Sequence, residues 1–343
     1  MTSTLYAVLP GGIDDPAAPS GGNTYDRRVL AGLSARRAVH EIRAPGSWPT
    51  PAAADEERLA AALGALSPGA TVLLDGLVAC AAPGVMEAQR RRLTLVVLVH
   101  LPLGDEPGAD PALTAGEGRA LRASSRVVAT STAAARRVEQ LHDLPHGSVH
   151  VAPPGVDPAP VAAPSEAGNR LLCVAAITPR KAQDVLVEAL SVVDDPPWRL
   201  RCVGSLDRDA GFAARVRSVS DRVEFPGPLT GTALGAAYAS ADLLVLPSRA
   251  ETYGMVVTEA LARGVPVLAT RVAGVPEALG AAPDGRLPGD LLPPGDRPAL
   301  TGALRRWLTD PGLRGEWRSA ALARRGTLRG WDETTRRLSE VLP

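Results

Sequence analysis

The chain has 343 residues, 37 basic and 37 acidic side chains, and an aromatic content of 3%. This length exceeds what one ordinary hydrophobic core supports, so two domains are expected. Balanced charge with no basic half argues against a nucleic-acid partner and against stable attachment to an anionic membrane.

The cysteines and the apolar runs indicate the compartment. Cys80, Cys173 and Cys202 lie far apart, mostly in apolar segments, which predicts buried free thiols in a reducing environment. The N-terminus lacks the basic and long apolar stretches of a signal peptide. The longest apolar run, residues 93–103, is too short to span a bilayer. We therefore expect a cytoplasmic protein.

Taken in chain order, the hydrophobic patterns alternate between strands and helices. In the first half, strands are predicted at 5–9, 38–42, 71–74, 93–100 and 126–129, and helices at 23–33, 55–66, 116–123 and 131–141. In the second half, strands are predicted at 170–176, 200–203, 223–225, 243–246 and 265–269, and helices at 183–190, 210–219, 234–240 and 256–263. This alternation is typical of α/β domains with parallel sheets. Residues 151–164, with five prolines, predict the linker between two such domains.

The segment 242–277 is the most informative part of the chain. A buried strand leads into a turn that holds Glu251, Gly254 opens a helix, and Glu259 follows in that helix. The N–H groups at a helix start attract anions, and two carboxylates can hold hydroxyl groups on either side of an anion. A phosphate between two polyols is the shape of a nucleotide-sugar.

This segment resembles the retaining glycosyltransferases of family 4, which have the GT-B fold. Their hallmark is two glutamates separated by seven residues, then a Gly-x-Pro-Val strand and a Gly-x-Pro-Glu turn; here these are Glu251 and Glu259, 264–267 and 274–277. The resemblance implies an α/β protein with two Rossmann-like, doubly wound domains that face each other across a cleft. It implies an acceptor-binding domain at 1–152, a nucleotide-sugar-binding domain at 153–325, and a terminal helix at 326–343 that packs back on the first domain.

A second candidate site is the loop that carries the only lysine. Of the 37 basic residues, 36 are Arg, so Lys181 marks a position where a compact ammonium group is needed. A cation in a strand-to-helix loop is well placed for phosphate. Family members usually have Gly-Arg at the preceding strand end, where this chain has Ala175 and Ala176. The resemblance implies that the missing Arg would help to hold the donor diphosphate, and Arg180 is the candidate to replace it.

Two further sites lie in the first half. A lone histidine at a strand end, such as His100, is more often structural than catalytic. The resemblance reverses this interpretation, because family 4 enzymes place a histidine there against the donor sugar or its phosphate. The glycine-rich turn with Gly21 and Gly22 is not a dinucleotide fingerprint. It resembles the family loop near the leaving phosphate and the acceptor.

Two other patterns are interpreted without a metal. Asp207 and Asp209 form an Asp-x-Asp sequence in a loop, which we interpret as a solvated turn. His142, His146 and His150 have the spacing of a zinc helix, but Pro145 and Gly147 would break that helix.

The expected function is the transfer of a sugar, with retention, from a nucleoside diphosphate-sugar to a hydroxyl of a small-molecule or sugar acceptor. Neither a metal nor another cofactor is expected, and uridine is favoured as the base only because it is common in the family. Lys181 and Arg180 would stabilise the leaving diphosphate, Glu251 would hold the sugar and Glu259 the ribose. Donor contacts are expected from the backbone of Gly21, Gly22, Gly254, Met255 and Val256. Two alternatives remain: a catalytically weak protein that binds a nucleotide-sugar, and a sugar phosphorylase or epimerase of the same fold.

Overall fold

The computed structural model describes residues 4–17, 19–105 and 108–343. The chain divides into two compact units, each built on a six-stranded parallel sheet. The N-terminal unit contains the described residues within 4–15, 20–155 and 331–343, and the C-terminal unit contains those within 156–330 together with residues 16, 17 and 19. The last helix of the chain is therefore part of the N-terminal unit.

The sheet of the N-terminal unit has the strand order β2-β1-β3-β4-β5-β6. Its strands are β1 (Leu5–Pro10), β2 (Val39–Ala44), β3 (Thr71–Asp75), β4 (Thr94–Val99), β5 (Arg126–Ala129) and β6 (Val149–Val151). Its helices are α1 (Gly21–Ser34), α2 (Ala53–Gly64), α3 (Gly76–Ala79), α4 (Pro83–Gln89), α5 (Pro111–Ala123), α6 (Thr132–Leu141) and α14 (Trp331–Val341). Every residue of β3 is buried, as expected for a parallel strand that is covered on both faces.

Each face of this sheet has its own apolar core, because successive side chains of a strand point to opposite faces. Leu5 and Leu9 of β1 belong to the core that contains α1 and α14, whereas Val8 belongs to the other core. The terminal helix α14 contributes Leu338 and Val341, and Thr334 donates a hydrogen bond of 2.8 Å to the Pro153 carbonyl oxygen. Apolar burial thus anchors α14 to the sheet.

The sheet of the C-terminal unit has the order β12-β11-β10-β7-β8-β9. Its strands are β7 (Arg170–Val174), β8 (Arg199–Val203), β9 (Val223–Gly227), β10 (Leu243–Leu246), β11 (Val267–Thr270) and β12 (Gly289–Leu292). Its helices are α7 (Gln183–Ser191), α8 (Ala210–Arg217), α9 (Gly231–Ala239), α10 (Met255–Leu261), α11 (Val275–Leu279), α12 (Arg297–Thr309) and α13 (Pro311–Arg325). β7 and β10 are adjacent, so the loops that follow them leave the same edge of the sheet.

The structure differs from the sequence-based predictions in several elements. Val151 belongs to β6, where it pairs with Ala129 of β5, and not to a linker. The edge strand β12, in the Pro- and Gly-rich stretch 282–299, was not predicted. The helices α3, α4, α11, α12 and α13 were also not predicted. Cys80, Cys173 and Cys202 are free and buried, as predicted.

No helix in the described ranges combines the length and the hydropathy that a membrane crossing requires.

Candidate active site

Lys181 and Glu251 form a largely buried ion pair at the carboxyl edge of the C-terminal sheet. The Lys181 loop follows β7 and the Glu251 loop follows the neighbouring β10, and Nζ of Lys181 lies 2.5 Å from Oε1 of Glu251. Their side chains are 15% and 8% exposed. Ligands of parallel α/β sheets bind at this edge, so the pair lies where the sequence analysis expects the donor.

The surroundings of Glu251 keep its carboxylate ionised. Burial would raise its pKa, but the charge and the hydrogen bond of Lys181, the charge of Arg180 and the hydroxyl of Ser248 together lower it. The Ser248 hydroxyl donates to Oε1 at 2.9 Å, and Ser248 itself is held because Thr270 donates to its carbonyl oxygen at 2.5 Å. Within the described residues, no hydrogen bond reaches Oε2 of Glu251, so this oxygen can accept one from a ligand.

The two loops are also connected to each other through their backbones. The N–H group of Arg249 donates to the Arg180 carbonyl oxygen at 2.8 Å, and Nη1 of Arg180 donates to the Ala250 carbonyl oxygen at 3.2 Å. Arg249 also donates to the Pro179 carbonyl oxygen and pairs with Asp184 at 3.1 Å. These contacts fix the separation of Lys181 and Glu251. They also show that the Arg180 guanidinium is bound to the Glu251 loop, beside the pair.

Glu259 lies in an environment unlike that of Glu251. The Tyr238 hydroxyl donates to Oε2 of Glu259 at 2.7 Å, and the Arg263 guanidinium stacks 4.8 Å from the Tyr238 ring centre. Burial raises the pKa of Glu259, although the hydrogen bond from Tyr238 and the charge of Arg263 oppose the rise. One carboxylate oxygen is therefore held by Tyr238, while the carboxylate remains an acceptor for neutral hydroxyl groups.

Gly254 sets the entry into α10. Its φ of 87° lies in the left-handed region, which favours glycine, and the first helical residues Met255 and Val256 are half-buried. Thus Lys181, Glu251, Glu259 and the start of α10 all belong to the C-terminal unit, and the sheet brings Lys181 to Glu251.

His100, in the N-terminal unit, follows β4 and lies against α1. A Cβ atom at Gly22 would lie 3.2 Å from Cγ and Cδ2 of the His100 ring, so glycine allows this close approach. The helix start is fixed by Ser20, whose hydroxyl accepts from the Asn23 N–H group at 3.0 Å. Gly21 and Gly22 are the first residues of α1, and Gly22 is in contact with His100.

Two carboxyl groups surround His100. Nε2 of His100 lies 2.8 Å from Oδ1 of Asp26 and 3.9 Å from Oδ2 of Asp75. Burial by itself would lower the pKa of His100, but the charge and hydrogen bond of Asp26 and the charge of Asp75 raise it to about 9. The Tyr25 ring contacts the imidazole edge-on at 5.2 Å. Both carboxyl groups therefore favour the protonated form of the His100 ring.

The sequence analysis missed the residues that hold the candidate groups in place. Asp26, Asp75, Tyr238 and Ser248 were not singled out. A signal existed for Asp75, because it ends an apolar strand and precedes a glycine, as polar groups at a sheet edge often do. The sequence around Asp26, Tyr238 and Ser248 contains no comparable signal.

The Asp-x-Asp sequence and the three spaced histidines, which we interpreted without a metal, make contacts within the protein. Asp209 caps α8 by accepting from the Phe212 N–H group at 2.8 Å, and Asp207 is exposed. α6 ends at Leu141, so the three histidines do not share a helix. His142 contacts Glu117 at 3.0 Å, whereas His146 contacts Glu139 at 3.3 Å.

Comparison with protein families gives matches over most of the chain. Residues 168–310 match the model described as glycosyl transferases group 1, and residues 19–160 match glycosyltransferase family 4. A D-inositol 3-phosphate glycosyltransferase of Kineococcus radiotolerans is 34% identical over 298 residues, which covers 75% of this chain and 68% of the relative. The enzyme of the same name from Nocardiopsis dassonvillei is 32% identical over 293 residues, covering 75% and 66%. The match thus spans about two thirds of the length of these relatives.

Solved structures show the same fold. A sucrose-phosphate synthase from Thermosynechococcus elongatus superposes with a TM-score of 0.78 at 20% identity and covers 99% of this chain and 98% of its own. HepE of Anabaena, solved in complex with UDP and glucose, gives a TM-score of 0.78 at 18% identity, with 99% of both chains covered. The two parallel sheets with flanking helices confirm the prediction of two Rossmann-like domains of the GT-B type. On the family matches and the identity to its relatives, the chain belongs to family 4 of the glycosyltransferases, the glycosyl transferases group 1.

Proposed function

We propose that this protein transfers a sugar from a nucleoside diphosphate-sugar to a hydroxyl group of a small-molecule or sugar acceptor, with retention of configuration. The observation that carries the proposal is the buried Lys181–Glu251 pair, which lies at the carboxyl edge of the C-terminal sheet of a family 4 chain. The relatives named for D-inositol 3-phosphate and the HepE complex with UDP support a hydroxyl acceptor and a uridine donor.

In this proposal the two ends of the donor are held by different carboxylates. Glu251 accepts hydrogen bonds from the sugar hydroxyls through Oε2, while Ser248 and Lys181 hold Oε1. Glu259 accepts from the ribose hydroxyls while Tyr238 holds Oε2. Fixed acceptors of this kind orient the ring without moving during the reaction.

The leaving diphosphate requires positive charge, because negative charge grows on it as the sugar C1–O bond breaks. Lys181 supplies that charge, with N–H groups of Gly254, Met255 and Val256 beside it. Arg180, whose guanidinium is bound to the Ala250 carbonyl oxygen, takes the place of the Arg that is absent at Ala176. Within the N-terminal unit, Gly21 and Gly22 are proposed as N–H donors and His100 as a cationic donor.

Retention follows from a front-face attack in this proposal. The acceptor oxygen bonds to C1 on the face that the diphosphate leaves, and the departing phosphate oxygen takes the acceptor proton. A covalent intermediate would need Glu251 as nucleophile. Its Oε1 is already bound by Lys181 and Ser248, and the proposal assigns Oε2 to the sugar hydroxyls, so the front-face route is favoured.

The reaction is proposed to take place in the cytoplasm and without a bound metal. Three buried free thiols suit a reducing compartment. Lys181 and the N–H groups perform the charge neutralisation that a metal performs in other glycosyltransferases.

A thermal-shift panel of UDP-, GDP-, ADP- and dTDP-sugars tests the donor assignment, because a ligand that binds the folded state raises Tm. We expect one donor to raise Tm in the wild type and to lose this effect in Lys181→Ala. Transfer is then measured with that donor against a set of hydroxyl acceptors. Binding without transfer or donor hydrolysis would favour the non-catalytic alternative. Phosphorolysis or epimerisation of the donor would favour a sugar phosphorylase or epimerase of the same fold.

A further inference from the structure

Three titratable side chains meet at the carboxyl edge of the N-terminal sheet. Asp26 comes from α1, Asp75 ends β3, and His100 follows β4. Each side chain offers one atom that could bind a metal ion, a carboxylate oxygen or an imidazole nitrogen, and these three atoms lie within 4.8 Å of one another. The side chains of Asp26, Asp75 and His100 are 4%, 5% and 18% exposed, so the carboxyl groups are shielded from water and the imidazole reaches it on one side.

The charges of this cluster do not balance when every group is ionised. Two carboxylates and one imidazolium leave a net negative charge, and a buried charge without a counter-ion is strongly disfavoured. Within the described ranges, the ion pairs of Asp26 and Asp75 involve only His100. One additional proton would neutralise the cluster.

The hydrogen bonds show where that proton fits. Oδ1 of Asp75 accepts from the Leu77 N–H group at 2.6 Å, and Oδ1 of Asp26 contacts His100. Oδ2 of Asp26 is buried and has no hydrogen-bond partner among the residues that the structure describes. A proton on Asp75 would give this oxygen its donor. Burial and the neighbouring Asp26 charge raise the pKa of Asp75 to about 8, in the direction that such a proton requires.

We infer that Asp26 and Asp75 share one proton and together hold His100 as a fixed imidazolium, which makes both aspartates positioning residues for His100. Asp26 carries the charge that pairs with the ring, and Asp75 donates to Asp26. The ring is also packed against Gly22 and Tyr25 of α1. That the fixed cation serves the donor rests on the proposed function, whereas the shared proton does not.

The groups that face His100 come from two elements, and a third element packs behind them. α1 provides Asp26 and Tyr25, and the end of β3 provides Asp75. The Tyr25 hydroxyl donates to the Ala152 carbonyl oxygen at 2.9 Å, and burial together with the charge of Asp26 raises its pKa, so Tyr25 remains neutral. From α14, Trp331 contacts Tyr25 and brings no charge.

The test is nuclear magnetic resonance of the ligand-free protein labelled with ¹⁵N-histidine. His100→Gln identifies the His100 signals among those of the five histidines. In the wild type we expect an imidazolium at pH 7.5 that titrates with a midpoint of about 9. In Asp26→Asn the ring loses its counter-charge, and we expect neutral imidazole at pH 7.5. In Asp75→Asn the amide still donates to Asp26 and still accepts from Leu77, so His100 stays an imidazolium.

Asp110→Asn is the matched control. Asp110 is exposed in the same unit and, like Asp75, caps a helix, accepting from the Ala112 N–H group at 2.8 Å. We expect its His100 signals to match the wild type. Difference infrared spectra between the wild type and Asp75→Asn add a measurement that does not depend on histidine. They are expected to show a protonated carboxyl band that Asp75→Asn lacks at pH 7.5.

Several results would overturn the inference. Neutral His100 in the wild type at pH 7.5 would mean that the aspartates do not hold an imidazolium. Neutral His100 in Asp75→Asn would mean that the ring needs the charge of an ionised Asp75, so that Asp75 does not hold the proton. Retention of the imidazolium in Asp26→Asn would remove Asp26 as its partner. Stoichiometric binding of Zn²⁺ that shifts the His100 signals would make the cluster a metal centre. If Asp26→Asn does not fold, the wild-type titration and the comparison with Asp75→Asn still decide the outcome. Because the spectra need no substrate, failure of the proposed function would leave their outcome unaffected.

Discussion

The two units bury charge in opposite ways. In the C-terminal unit, Lys181 and Glu251 form a one-to-one ion pair of opposite charges. In the N-terminal unit, His100 meets two carboxyl groups, and balance needs a proton. The balanced pair is therefore expected to lose charge only on acidification, whereas the cluster with an odd charge is expected to change its protonation near and above neutral pH.

The largest effect is expected from breaking the balanced pair with Lys181→Ala. This leaves Glu251 buried without its counter-ion and removes the cation proposed for the diphosphate. We expect kcat to fall by about 10²–10³-fold or more, and stability to fall by about 3–5 kcal/mol, as when one partner of a buried pair is removed. Transfer assays and denaturant unfolding measure the two effects.

The control for this variant is Arg208→Ala, which removes a positive charge from an exposed loop of the same unit. It should leave both quantities near the wild-type values. Turnover by Lys181→Ala close to that of the control would remove Lys181 from the mechanism.

Stability is predicted to depend on pH in opposite ways at the His100 cluster and at the Lys181–Glu251 pair. The pKa of His100 is raised from 6.5 to about 9, so its contribution to stability is fully present below pH 6.5 and is lost as pH rises through 9. The pKa of Asp75 is raised from 3.8 to about 8, so the contribution of its proton to stability is lost as pH rises from 3.8 towards 8. The pKa of Glu251 is lowered, so its contribution is present above its ordinary value of 4.5 and is lost on acidification.

Urea unfolding of the wild type and His100→Gln from pH 6.5 to 9 measures the first of these effects. We expect the advantage of the wild type to shrink by up to roughly 1.4 kcal/mol per pH unit, the value for one proton held only by the native state. A difference between the two proteins that does not change with pH would contradict the raised pKa of His100.

A smaller effect is expected at the ribose end of the proposed donor site. Glu259→Gln keeps the size of the side chain but removes its charge, which weakens hydrogen bonds from neutral hydroxyls. We expect the nucleotide Kd to rise roughly tenfold, equivalent to about 1.4 kcal/mol. Tyr238→Phe, which only releases Oε2 of Glu259, should raise it less. Calorimetric titration measures the nucleotide Kd of both variants, and Glu224→Gln, at an exposed position, is the control. An unchanged Kd in Glu259→Gln would exclude the ribose role of Glu259.

The smallest effect is expected from removal of metal ions. If Lys181 and backbone N–H groups neutralise the diphosphate, prolonged EDTA treatment followed by desalting should leave the transfer rate unchanged. Loss of activity that Mg²⁺ or Mn²⁺ restores would show that a metal shares this task.

The sequence predicted best those parts whose pattern is local. The strand Leu243–Leu246 and the helix around Glu259 were predicted within a few residues, because an apolar run, a turn and a glycine lie next to one another. β12 was missed because Pro and Gly surround four residues whose strand character comes from pairing with β11. β6 was likewise missed because its three residues form a strand only beside β5.

The alternation of strands and helices, the family motif and the unique Lys181 can all be identified from the amino-acid sequence. Which side chains meet depends on the folded chain. Lys181 and Glu251 are 70 positions apart, and Asp26 and His100 are 74 apart. Each pair meets because parallel strands bring distant loops to one edge of a sheet, and the order of those strands is set by long-range packing. The same packing sets their pKa values. Neighbouring charges and hydrogen bonds outweigh desolvation for Glu251 and His100, whereas desolvation raises the pKa of Asp75.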